Sequence, residues 1–198
     1  TRRLQYFITF VDDSTRKVWA YSIRSKDDAL TVFSWSLVEV KTLKSNNGGK
    51  YTSRAFNEYL SDEGIRHQKI VPYTPFQNGV AEQINRTIHE RTMAMPITLE
   101  SRLKLELWVE ALQTVVYFIN ISPSKAIRLE VPAANALWSG KEQTYNRLRL
   151  FGCEAYAFIP REKMIKLASH ATKCIFLSNG TDGEFGYMLW DPKNWKLI

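Results

Sequence analysis

Val71-Pro72-Tyr73-Thr74-Pro75-Phe76-Gln77-Asn78-Gly79-Val80-Ala81-Glu82-Gln83-Ile84-Asn85-Arg86-Thr87 runs from the end of a strand through a Pro- and Gly-bearing loop into a helix. The helix is predicted from about Val80 to Met95, with Pro96 as its stop. At about 100° per residue, Val80, Ala81, Ile84, Ile88 and Met95 fall on one side, with Glu82, Arg86 and His89 opposite and Asn85 beside them. A carboxylate in the first turn, just after such a loop, can project toward a cleft while its helix stays anchored. The same Glu also suits a solvated face near the positive end of the helix dipole. Geometry alone leaves both readings open.

Upstream, Gln5 to Val11 is an aromatic and β-branched run, Asp12-Asp13-Ser14-Thr15 is turn chemistry, and Lys17 to Ile23 is a second extended run, so the pair reads as a hairpin. A helix follows over Ser25 to Val40, opened by Ser25-Lys26-Asp27-Asp28 as a capping box with Asp in place of Glu. Leu30, Phe33, Leu37 and Val40 supply its apolar side. Lys41 to Ser45 is a short strand entering the turn Asn46-Asn47-Gly48-Gly49. Ser53 to Glu63 is a helix closed by Gly64, with Phe56 and Leu60 at i, i+4, and Ile65 to Val71 is a strand ended by Pro72. Downstream, a helix over about Ser101 to Asn120 aligns Leu105, Trp108, Leu112, Val115 and Ile119. Beyond Pro123 come short extended pieces at Glu154 to Ile159, Lys173 to Leu177, Tyr187 to Trp190 and Trp195 to Ile198, a pattern of a small β appendage. The order hairpin, helix, strand, helix, strand, helix, helix fits an α/β layer on a mixed sheet.

Composition narrows the function classes. The 198 residues are 44% hydrophobic and 24% charged, which excludes a disordered chain. No run nears the roughly 18–20 apolar residues of a membrane-spanning helix. Cys153 and Cys174 are too few for a disulfide framework or a zinc site and read as reduced thiols. The histidines, His67, His89 and His170, match no metal spacing. The net charge of +7 is spread along both halves and weakly favours contact with a polyanion. The start, Thr1-Arg2-Arg3-Leu4-Gln5, carries neither an initiator Met nor a signal-peptide pattern, and is expected to lie inside a longer reading frame.

The stretch Val71 to Thr87 resembles the segment around the last catalytic glutamate in integrases of copia-type LTR retrotransposons. Leu43-Lys44-Ser45-Asn46-Asn47-Gly48-Gly49-Lys50-Tyr51 is similar to that family's L-R-S-D-N-G-G-E-Y, and Tyr6 to Asp13 to its second strand and turn. Trp108 to Ala111, Asn120 to Ser124, Leu150 to Tyr156 and Lys173 to Leu177 continue the match in order. The resemblance implies a ribonuclease H-like core that joins transposon ends to target DNA. It also implies two Asp and one Glu holding two Mg²⁺ ions, which activate the attacking oxygen and stabilise the leaving one. In that frame Glu82 is the third carboxylate and metal ligand, and Asn46 stands where the second Asp belongs. The first Asp belongs to a strand expected before Gln5. Asp12 and Asp13 do not replace it, because a hairpin turn favours Asp for local hydrogen bonds. Lys50 for Glu and Gln83 for Arg are further departures, the second removing a basic group beside the DNA face.

In the implied fold that first strand is central. Its absence is expected to leave open edges on Tyr6 to Val11 and Lys41 to Ser45, and to make the chain alone unstable or prone to aggregate. The expected organisation is a truncated ribonuclease H-like integrase core over 1–122, a connector over 123–145 and a small β module over 146–198. The implied function is DNA integration and nucleic-acid binding within a Pol polyprotein, with little Mg²⁺ retention and no activity in this chain. The alternative is a non-catalytic DNA-binding or scaffolding remnant. Lys44, Asn78 and Arg86 are the expected DNA contacts. DNA is the expected partner and self-association a further expectation, with no membrane and no small-molecule substrate.

Overall fold

The computed structural model describes residues 4–35, 40–46, 48–71, 78–97, 107–123, 133–146, 148–160, 162, 169–179 and 186–198. Leu37, Leu105 and the loop 72–77 lie outside them. Two compact units emerge: Thr1–Val11 with Val18–Thr87, and Asp12–Lys17 with Ile88–Ile198.

In the first unit β1 (Tyr6–Val11) and β2 (Val18–Ile23) form the expected hairpin, antiparallel with Tyr6 opposite Ile23 and Val11 opposite Val18. The turn between them closes on Asp12, whose Oδ2 accepts from the backbone N–H and the hydroxyl of Thr15, each at 2.7 Å. Asp13 pairs with Arg16. Both acids therefore do the turn work that their sequence context implied.

The capping box is present. The Ser25 hydroxyl accepts from Asp27 N and the Asp28 carboxylate accepts from Ser25 N at 2.9 Å, opening a 3₁₀ turn, Lys26–Asp28, that leads into α1 (Ala29–Trp35). After β3 (Thr42–Ser45), a single helical turn, α2 (Gly49–Thr52), starts at the last residue of the stretch that reads as a plain turn. Ser53 then caps α3 (Arg54–Asp62) by accepting from Phe56 N at 3.3 Å. Gly64 ends it at φ +67°, a left-handed conformation that a side chain would strain. β4 (Arg66–Lys69) pairs with β3 in parallel, Thr42 opposite Arg66 and Ser45 opposite Lys69.

Among the described residues the two ladders share no strand pairing: β1 pairs with β2 and β3 with β4. Side chains join them instead. Phe33 of α1, Phe56 and Leu60 of α3 and Ile65 form a buried cluster on which Phe10 of β1 and Leu43 of β3 both pack. The Phe10–Phe33 and Phe33–Phe56 ring centroids lie 5.4 and 5.5 Å apart, inside the favourable range for tilted aromatic pairs.

α4 (Gly79–Ile97) contributes residues to both units. It outruns its expected end by two residues, with Pro96 inside its last turn, where the missing N–H leaves the carbonyl four residues back without its donor and the helix stops one residue later. Ile88 is fully buried and Glu82, Arg86 and His89 are exposed, in accord with the helical pattern. Val80, expected on the apolar side, is 42% exposed, because the first turn extends past the packed stretch.

The second unit is built on α5 (Trp108–Ile121), which buries Ala111, Leu112, Val115 and Val116. α6 (Ala134–Ser139) follows, and then a four-stranded antiparallel sheet in the order β5 (Glu154–Phe158), β6 (Ala171–Asn179), β7 (Tyr187–Asp191), β8 (Lys196–Leu197). The β appendage read from the sequence is this sheet. Leu107, Ala111, Phe151 and Leu177 form its core with α5, and the Thr114 hydroxyl donates to Leu177 O at 3.0 Å. Cys153 and Cys174 are free thiols. No helix among the described residues is long and apolar enough to cross a membrane.

Candidate functional site

The expected site residues stand at the end of β3 and the start of α4. Asn46 follows the last residue of β3, is exposed, and accepts the backbone N–H of Gly48 on its Oδ1 at 3.2 Å. A Cβ at position 48 would meet the same Oδ1 at 3.0 Å, so a side chain there would push that oxygen back by a few tenths of an ångström. Glu82 lies in the first turn of α4, exposed, and its Oε1 accepts from the Asn78 amide at 3.2 Å. Arg86 is exposed one turn further on. Lys44 sits on a face of the β3–β4 ladder where Thr42, Arg66 and Gln68 are exposed as well, so two cations share that face.

Of the five expected residues, the structure joins Asn78 to Glu82 directly. Among the described residues it does not bring together the acids that two Mg²⁺ ions require. Residue 46 offers a neutral amide already engaged by Gly48, and Asp12 and Asp13 are held in the hairpin turn. No group of three or more His, Cys, Asp or Glu side chains disposed to hold a metal ion occurs among the described residues. The described side chains do not fit the metal pair.

Two polar links escaped the sequence reading. The Thr9 hydroxyl of β1 donates to Asn85 Oδ1 of α4 at 2.6 Å, tying the hairpin to the helix that carries Glu82. Ser45 Oγ lies 2.8 Å from His67 Nε2, and His67 Nδ1 lies 3.2 Å from Asn57 Oδ1, a chain across β3, β4 and α3. Asn85 was placed beside the polar face, but no periodicity signals a partner 76 residues away.

Burial, and then the charge of Lys69, push the His67 pKa below its ordinary value of 6.5. In the unfolded chain the ring takes a proton more readily than in the folded one. Its contribution to stability is therefore complete above about pH 6.5 and is lost as the pH falls through the depressed folded value. Urea midpoints measured from pH 7.5 to 5 should fall less steeply in His67→Gln than in the wild type. Identical slopes would contradict this assignment.

Residues 1–75 match the integrase core domain family, and residues 153–198 match the retroviral polymerase SH3-like domain family. A retrovirus-related Pol polyprotein from transposon TNT 1-94 of Nicotiana tabacum is 46% identical over 98% of this chain. The chain belongs to the integrase region of copia-type retrotransposon Pol polyproteins. It spans 15% of the length of that tobacco relative. The Pol polyprotein from transposon RE2 of Arabidopsis thaliana is 31% identical over 87% of the chain, which covers 12% of that polyprotein. The fold is the ribonuclease H-like one of integrase cores. The catalytic core domain of BIV integrase superposes with a TM-score of 0.51 at 17% identity, over 68% of this chain and 85% of that one. A chain of the simian T-cell lymphotropic virus intasome, solved with the PP2A regulatory subunit B56 gamma, superposes at 0.55 and 16% identity, over 96% and 70%. In this integrase-type chain the two family matches coincide with the ladders of the first unit and the four-stranded sheet of the second.

Proposed function

We propose that this integrase-type chain binds DNA through backbone phosphates and does not perform strand transfer. The observation that carries the second half is the neutral amide of Asn46, engaged by Gly48, at the place of a required carboxylate. The first half is supported by the family match, the net charge of +7 and the exposed cations Lys44, Arg66 and Arg86. Joining DNA ends is then the family's chemistry, and this chain is a DNA-binding remnant of it. Self-association on DNA belongs to the same proposal.

Phosphate contacts release counterions, so the logarithm of the affinity should fall linearly with the logarithm of salt, by about 0.9 per contact on duplex DNA. Fluorescence anisotropy with two unrelated duplexes should give equal affinities at each salt concentration. Lys44→Ala should weaken both equally and flatten the slope by about one unit. Strong discrimination between the duplexes at fixed salt, or no binding at low salt, overturns the reading.

A further inference from the structure

We propose that His67 is a positioning residue: held as the Nδ1–H tautomer between Asn57 and Ser45, it braces the end of β3 and thereby sets the place of residue 46. The tautomer follows from donors and acceptors. Asn57 donates both amide hydrogens to backbone carbonyls, to Thr52 O at 3.1 Å and Ser53 O at 2.8 Å. Its Oδ1, 3.2 Å from His67 Nδ1, is therefore an acceptor only, and Nδ1 must carry the hydrogen. A neutral imidazole has one such hydrogen, so Nε2 is bare and Ser45 Oγ donates to it at 2.8 Å. The Ser45 hydroxyl has a second acceptor within reach, Asn46 O at 3.1 Å. The lone pair on Nε2 decides between them. The depressed pKa of His67 keeps the ring neutral near pH 7, in the form that takes the hydroxyl.

The brace spans three elements. Asn57 is on α3, His67 on β4 and Ser45 is the last residue of β3, where its carbonyl also accepts Ile70 N at 3.1 Å. Phe56, fully buried, lies 6.3 Å from the imidazole between ring centroids. Ser45 is itself 6% exposed, so a Ser-His-Asn chain that looks like a nucleophile set has no substrate access and serves instead as a fixed strut. Beyond the strut lies Asn46, whose side chain is oriented by the N–H of Gly48. The role at residue 46 rests on the reading that this position belongs to the DNA site; the tautomer does not.

The test uses the whole chain labelled with ¹⁵N-histidine, which carries three histidines, with His67→Gln assigning the His67 signals. Long-range ¹⁵N–¹H spectra at pH 7.5 should show Nδ1–H for His67 in the wild type and in Ser45→Thr, which keeps the hydroxyl. Ser45→Ala and Asn57→Ala should show averaged tautomers. Exchange of the Gly48 amide should quicken about tenfold in Ser45→Ala and Asn57→Ala, the equivalent of one hydrogen bond, and stay unchanged in Ser45→Thr. An Nε2–H or averaged wild-type pattern overturns the tautomer, and should His67→Gln not fold, His89→Gln and His170→Gln, both at exposed positions, assign the His67 signals by elimination. Unchanged Gly48 exchange in folded Ser45→Ala overturns the positioning role. Absence of DNA binding in the wild type would defeat the proposed function and leave the tautomer standing.

Discussion

Incubated with Mg²⁺ or Mn²⁺ and a labelled transposon-end duplex, the purified chain should give no strand-transfer product above background. At an effective dielectric of about 20, two unit charges 4 Å apart interact by about 4 kcal/mol, so a carboxylate facing a dication is worth about twice that. The amide of Asn46 forfeits most of this, and its Oδ1 already accepts the Gly48 N–H. Asn46→Asp restores one charge. It should raise divalent-metal affinity in a calorimetric titration yet leave strand transfer absent, since among the described residues no cluster of three acids forms. Metal-dependent product from the unaltered chain would refute the proposed inactivity. Product from Asn46→Asp alone would show that two acids suffice.

The second large effect is on stability. Phe56 is fully buried and packs its ring against Phe33 at 5.5 Å and Tyr51 at 5.6 Å between centroids, in the cluster that both ladders share. Phe56→Ala should cost about 3–5 kcal/mol, the loss of transfer energy plus the cavity left behind. Against the roughly 5–15 kcal/mol of a typical domain, that leaves the first unit marginal or unfolded at 37 °C. Urea denaturation followed by near-ultraviolet circular dichroism should show the midpoint falling, with Phe56→Leu in between. A loss under about 1 kcal/mol would mean that the cluster closes over the gap.

What the sequence disclosed was local. The capping box at Ser25 and Asp28, the Asp12 turn and the Phe56–Leu60 pair are written in spacings of two to four residues, and each appears in the structure. The candidate site was read at Asn46 and Glu82 from the resemblance of the Gly-bearing segments beside them, and what the structure adds is their local partners, the Gly48 N–H and the Asn78 amide. Its internal wiring was not legible. Thr9 reads as one more position in an alternating strand, and His67 as an isolated ring, until folding brings Asn85 and Ser45 beside them. The helical turn α2 was hidden for the opposite reason. Asn46 to Gly49 carries strong turn chemistry, and one turn of helix after Gly48 satisfies the same backbone groups.

The separate ladders imply a particular pattern of breathing. A continuous sheet opens as one unit, because each strand's amides are locked by the next. Here, among the described residues, β1–β2 and β3–β4 each close on themselves, and a file of rings from Phe10 through Phe33 and Phe56 to His67 is what links them. Rings resist separation but do not lock amides, so each hairpin or strand pair can fray without breaking a hydrogen bond of the other. Native-state exchange should therefore resolve the first unit into two cooperative groups, one on each ladder, that merge into a single global opening once denaturant dissolves the aromatic link.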